Sequence, residues 1–361
     1  MFEDLGFESL TATQAALWFG VLLGAAFGVL AEITRFCFRR AVVGPKRERG
    51  QARGVWAMAL AVAVIGTQAA VAAGWIGFGD HRFLTANMPA LAILAGGVLF
   101  GAGMVLTRGC ASRLTVLAGS GNLRAVLVLI VFAITAHATL KGVAAPLRTA
   151  LGSATLPLGE AASLTALPGG AWLWSAAIAL PALAMACCSG ARRRDIALAG
   201  LLGLLVPLGW VGTGFVLYDA FEPIAMESLN FTSSMADTLF WGVAATSITA
   251  KFGTGLVGGV LAGALVSSLL GRRFRWQSFE GPAQTGRYLA GGVLMGFGGV
   301  LAGGCTVGAG LSGIPTLGIS ALLALAAIGL GALAADRAIS VIPSRAGSGA
   351  SPTTPQAQPA G

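Results

Sequence analysis

Apolar residues gather into long runs along this chain, separated by short polar or glycine-rich segments. Seven runs, at about 14–36, 54–76, 122–142, 171–189, 195–218, 249–270 and 316–335, each read as one continuous helix. Each has the roughly 20 residues a helix needs to cross the hydrocarbon core of a bilayer. Two more, 89–119 and 284–314, are too long and too interrupted by glycine for one clean helix, so each predicts a crossing in two half-helices. The short alternating segments of a membrane β-barrel are not evident. The pattern predicts an all-α integral membrane protein with about nine transmembrane crossings, two of them broken into half-helices.

The two broken runs are copies of one another. From Leu94 the chain reads "LAGGVLFGAGMVLTRGC", and from Leu289 it reads "LAGGVLMGFGGVLAGGC". At an offset of 195, twelve of these seventeen positions are identical. The same offset carries 54–76 onto about 249–271 and 122–142 onto about 317–337. Residues 1–342 are therefore expected to form a single transmembrane domain. Within it, about 11–142 and 195–337 are repeats and 171–189 is a linker helix between them. Residues 343–361, rich in Pro, Gly, Ser and Ala, read as a disordered tail.

Charge gives the repeats a direction. Charged residues make up 10% of the chain, against about 25% in soluble domains. The net charge of +9 collects largely in three clusters: Arg39 to Arg53, Arg192 to Arg194, and Arg272 to Arg275. Cytoplasmic loops carry such clusters, so this charge is topogenic, and no nucleic-acid partner is expected. The stretch from Asp219 to Asp237 has no Lys or Arg and suits the opposite side. The N-terminus then lies outside and the C-terminus in the cytoplasm. The first ten residues are acidic, and no cleavable signal peptide is evident. Each repeated helix crosses against its copy, so the halves are inverted repeats, a recurring plan of secondary transporters. The 54 glycines fit this class, because pairs four apart such as Gly24/Gly28 and Gly97/Gly101 let helices approach closely.

Of five cysteines, Cys110 and Cys305 follow Gly109 and Gly304 in "TRGCASR" and "AGGCTVG". A helix broken there exposes free N–H groups at the start of the next half-helix, which attract anions. Such breaks are tolerated only within protein or along a cavity. Packing as a small hydrophobe is the competing reading for any buried cysteine, but here the same residue follows the same glycine twice. Cys37, in "AEITRFCFRRA", is a third candidate on the cytoplasmic side of the same path, near Glu32 and Arg35. Arg108 precedes the first break and stands where an entering anion could be drawn. Cys187 and Cys188 read as packing or lipid-facing residues. There is no C-x-x-C pair, and the two histidines offer no zinc-ligand spacing. No metal or other cofactor is expected.

The stretches "RFCFRRA", "GVLFGAGMVLTRGC", "SLNFTSSMADTLFW" and "RYLAGGVLMGFGGVLAGGCTVGAGLSG" resemble the YeeE/YedE family of sulfur-transport membrane proteins. The resemblance implies thiosulfate uptake across the bacterial cytoplasmic (inner) membrane, through an hourglass with cysteines near its constriction. By motif, Cys110 and Cys305 match the central cysteines and Cys37 the one after the first helix. The residues 143–197 match less clearly. The resemblance also implies soluble sulfur carriers of the TusA-like or rhodanese-like kind as cytoplasmic acceptors. Membrane lipid surrounds such a protein.

Thiosulfate is a dianion with a soft terminal sulfur. Neutral thiols can donate weak S–H hydrogen bonds to it, and loose binding at successive sites is what conduction requires. A relay through Cys110 and Cys305, protonated at rest, with Cys37 on the same path, is the expectation, with Gly109 and Gly304 opening the breaks. Transport of another sulfur or selenium species and a membrane thiol-redox protein are the alternatives. The redox reading would require a reactive cysteine of low pKa.

Overall fold

The computed structural model describes residues 11–79, 81–219, 223–279 and 281–341; the expected tail at 343–361 lies outside them. Thr11 opens helix α1 (Ala12–Thr34) with a reciprocal cap, its hydroxyl accepting from the Gln14 N–H and the Gln14 side chain from its own. A short α2 (Phe38–Val43) follows, and then α3 (Lys46–Ala72). Helix α3 begins eight residues before the expected 54, because the Lys, Arg, Glu and Gln of this basic segment are good helix formers. Arg49 and Arg53 donate back to the Gly44 and Ala41 carbonyls, closing the end of α2.

The first broken crossing resolves into α4 (Ala90–Leu106) and α5 (Ala111–Gly119). Asn122 caps α6 (Leu123–Lys141), accepting from the Ala125 N–H. A short α7 (Ala145–Gly152), two 3-10 turns and a pair of two-residue strands, Asn87–Met88 with Leu156–Pro157, cover the end of the molecule beyond α6. Helices α8 (Gly170–Cys187) and α9 (Arg193–Val211) come next, and α9 runs on as a π-helical turn, Gly212–Val216. After them come α10 (Thr232–Val243), α11 (Phe252–Leu270) and α12 (Pro282–Leu301). A π-helical turn at Thr306–Leu311 and α13 (Ile319–Val341) close the described chain.

Among the described residues, nine helical spans are long and apolar enough to cross a bilayer. Their outward faces carry exposed Trp18, Leu22, Ile134, Leu180, Leu208 and Leu330, a surface that hydrocarbon rather than water must cover. This is a multi-pass membrane protein. The two expected broken crossings are present, at Cys110 and at Cys305. The first span also breaks, at Arg35, where φ is 53° and the chain leaves α1 for α2.

Packing follows the repeat. Helix α4 lies on α13, and its copy α12 lies on α6; α3 lies on α9, while α11 lies on α1. Each half takes its main neighbours from the other, the exchange that a two-fold axis produces. Glycine makes the closest contact possible. A Cβ at Gly24 of α1 would collide with the Leu256 carbonyl, and one at Gly259 of α11 with the Val21 carbonyl. Helices α1 and α11 therefore touch backbone to backbone, as the four-residue glycine spacing predicts.

Candidate functional site

Three helices break just before an extended cysteine, and a fourth helix begins at the matching position of the repeat. Helix α1 ends when Arg35 turns left-handed and the Phe36 N–H bonds the Ala31 carbonyl; Cys37 is then extended, and α2 begins. Helix α4 ends the same way, with Arg108 at φ 58° and the Gly109 N–H on the Met104 carbonyl, before extended Cys110 opens α5. Helix α12 ends at Gly303 and Gly304, with φ 75° and 159°, before extended Cys305 opens its π-helical turn. The fourth is α10, which starts at Thr232 after an irregular approach through Ser228 to Asn230. The 195 offset lays Phe231 and Thr232 on Phe36 and Cys37.

These breaks bring the three candidate cysteines together as free, buried thiols. Cys37 and Cys110 are immediate neighbours that interact side chain to side chain. Cys305 lies close enough to feel a charge on Cys110. The Cys110 sulfur is 3.3 Å from Ser112 Oγ, and the Cys305 sulfur accepts the Gly308 N–H at 3.3 Å. Phe27 packs 5.3 Å from Phe231 and 6.2 Å from Phe36, filling the space beside the thiols with rings.

A cavity opens on either side of this plug. One, about 630 Å³, is lined by His81, Arg82, Glu227, Asn230 and Ser312, and reaches Gly308 in the turn that Cys305 opens. Burial, followed by Asp237, pushes the Glu227 carboxyl up, while Arg82 and Lys251 oppose the shift. The Arg82 guanidinium also lies within the field of Cys305. Burial, with Arg82 beside it, lowers His81 to about 4. Its ring sits edge-on to Trp210, and its Nδ1 accepts the Phe83 N–H.

The other cavity, about 510 Å³, holds Arg35, Arg40, Arg113, Arg272, Arg273 and Arg275 against Glu32 and Glu48. Glu32 pairs with Arg273 at 2.6 Å and accepts from Ser267, and Arg40 pairs with Glu48 at 2.9 Å. Arg113 lies at the cavity's deep end, one turn beyond Cys110, with Nη1 3.4 Å from the Ala31 carbonyl. The expected pairing of Glu32 with Arg35 gives way to Arg273, because Arg35 occupies the left-handed turn. The cationic balance of this cavity suits an anion.

Arg108 does not join the constriction. Its side chain is exposed and lines neither cavity, so its contribution is the left-handed turn of its backbone. Gly109 and Gly304 differ in role. A Cβ at Gly304 would press on the Ala309 N–H, whereas one at Gly109 would meet only side-chain atoms, of Leu114 and more loosely of Arg113. The patterns singled out above do not include His81, Arg82, Arg113, Thr232 or Glu227 as site residues. The repeat offset was the available signal for two of them, since it lays Glu227 on Glu32 and Thr232 on Cys37. Cys187 and Cys188 are exposed, away from the cavities.

Comparison with known proteins agrees with this arrangement. The model of a family described as sulphur transport matches residues 33–334. A thiosulfate transporter, TsuA, of Spirochaeta thermophila is 26% identical over 319 residues, covering 85% of this chain and 94% of its own. The TsuA thiosulfate transporter of Escherichia coli is 29% identical over 321 residues, covering 81% of this chain and 86% of its own. These relatives are transporters rather than enzymes. The match runs through all four of these breaks, and on it the chain belongs to the sulphur transport family.

Proposed function

We propose that the protein takes up thiosulfate across the bacterial cytoplasmic membrane, passing it by way of Cys305, Cys110 and Cys37 from the outer cavity to the inner one. The observation that carries this reading is the position of three buried free thiols, on three broken helices, between two arginine-bearing cavities. The names of the relatives support the choice of thiosulfate. Arg82 draws the dianion into the outer cavity, and Arg113 with its neighbouring arginines receives it at the inner one. Protonated thiols between them donate weak hydrogen bonds to the terminal sulfur. No covalent change is needed, because shallow binding at successive sites lets the ion leave each as readily as it enters.

In this reading the halves are inverted repeats, the inner cavity faces the cytoplasm, and the N-terminus lies outside. Acceptance of the ion by a TusA-like or rhodanese-like carrier rests on the family resemblance alone. Uptake of radiolabelled thiosulfate into proteoliposomes tests the substrate. Unlabelled thiosulfate should compete fully and sulfate, which lacks the soft sulfur, only weakly. Stronger competition by selenite or another sulfur species than by thiosulfate would move the assignment to that species.

A further inference from the structure

Two hydroxyls beside the thiols lack a partner within hydrogen-bond distance, unlike Ser112, which lies 3.3 Å from the Cys110 sulfur. Thr306 is 1% exposed and Thr232 is 4% exposed, yet neither Oγ1 has a hydrogen-bond partner. That is unusual within this fold. Thr34, Thr107, Thr115, Thr135, Thr139 and Thr238 each donate to the carbonyl four residues back in their own helix. Thr232 and Thr306 open their turns, so the preceding turn of helix that would supply that carbonyl is missing. Thr67 is a third buried threonine without a partner, but it lies within α3 rather than at a break.

Both hydroxyls lie beside the thiols. Thr306 directly follows Cys305, and its hydroxyl approaches the Cys110 thiol of the other half at a separation too long to satisfy it. Thr232 follows Phe231, whose backbone meets the Cys305 sulfur, and the repeat offset places it on Cys37. The constriction is thus a ring of mixed donors, three thiols and two hydroxyls. Thiosulfate has the same mixture of demands: one large, soft sulfur and three hard oxygens. A thiol is a weak donor suited to the sulfur, and a hydroxyl is a stronger donor suited to oxygen.

We infer that Thr306 and Thr232 are specificity-determining residues whose hydroxyls bind the oxygens of the passing anion while the thiols bind its sulfur. The inference rests on the thiosulfate reading above. Thiols alone would not separate thiosulfate from hydrosulfide, an anion with sulfur and no oxygen. The two hydroxyls supply that discrimination, because a buried donor left unmatched disfavours the wrong ligand.

The test is thiosulfate uptake by proteoliposomes carrying Thr306→Val, Thr232→Val, the corresponding Ser variants or Cys110→Ala, with hydrosulfide as competitor. Each protein is first checked for a parental unfolding midpoint in detergent. The Val variants, nearly the same shape without the hydroxyl, should raise the KM for thiosulfate roughly three- to tenfold, the loss of one hydrogen bond. Hydrosulfide inhibition should stay parental, and the Ser variants should restore the thiosulfate KM. A parental KM in both Val variants, or Ser variants as impaired as Val, would overturn the inference. If that result comes with impaired Cys110→Ala, the thiol pathway stands without the hydroxyls. Parental uptake by Cys110→Ala instead removes the thiol reading itself.

Discussion

At the scale of single residues, a charged group and a polar ring take roles their sequence context hides. Arg108 stands next to Cys110 in sequence, and proximity made it the natural anion attractant. Its side chain is exposed beside the left-handed turn at φ 58°, and Arg113, in the helix that follows, lines the cavity of Glu32 and Glu48 instead. Arg108→Gly should therefore leave uptake at the parental rate. Its stability should move by less than about 1 kcal/mol, since relief of the left-handed turn is offset by a more flexible unfolded chain. A large loss of uptake in that variant would return Arg108 to the pathway. His81 behaves differently from an exposed histidine. Its folded pKa of about 4 lies below the ordinary histidine value of 6.5, so the unfolded chain binds its proton first as pH falls. The stability this group contributes is complete above pH 6.5 and is lost as pH drops toward 4. Unfolding midpoints in detergent between pH 7.5 and 4.5 should fall, and His81→Gln should flatten that part of the decline.

At the scale of elements, the runs of apolar residues located the spans to within a few residues, except for the start of α3 and the end of α13, which runs to Val341 against the expected 335. Hydrophobic length is a strong signal because a bilayer has a fixed thickness. The breaks at Cys110 and Cys305 were legible because they are duplicated. Those at Cys37 and Thr232 were harder to see: α2 has six residues and α10 lies in a polar segment, so neither produces an apolar run. Their relation survives in the aligned pairs Glu32/Glu227, Phe36/Phe231 and Ala41/Ala236, which become meaningful once the helix ends are known. Two glycines test the element-level packing. Gly259→Leu forces α1 and α11 apart and should cost at least about 1–3 kcal/mol of thermal stability. Gly304→Ala must hold a side chain at φ 159° against the Ala309 N–H, and should impair uptake well beyond Gly109→Ala. Equal behaviour of the two alanine variants would mean that the second break tolerates a different backbone.

At the scale of the whole molecule, two halves lend each other their main packing partners and set their breaks around one buried cluster. Such a design places thiols where neither face of the membrane reaches them directly, while charged side chains wait in the cavities. The proposed orientation has built-in reporters. Cys187 and Cys188 are exposed near the arginines that follow α8, whereas the other three cysteines are buried. A membrane-impermeant maleimide should label the pair in inside-out vesicles and not in intact cells; the opposite pattern would reverse the topology. The central claim, that the buried thiols are the path of the ion, is tested most directly by radiolabelled thiosulfate uptake into proteoliposomes. Cys110→Ala and Cys305→Ala, each folded like the parent, should lose most of that uptake. Parental uptake in both variants would contradict the thiol pathway.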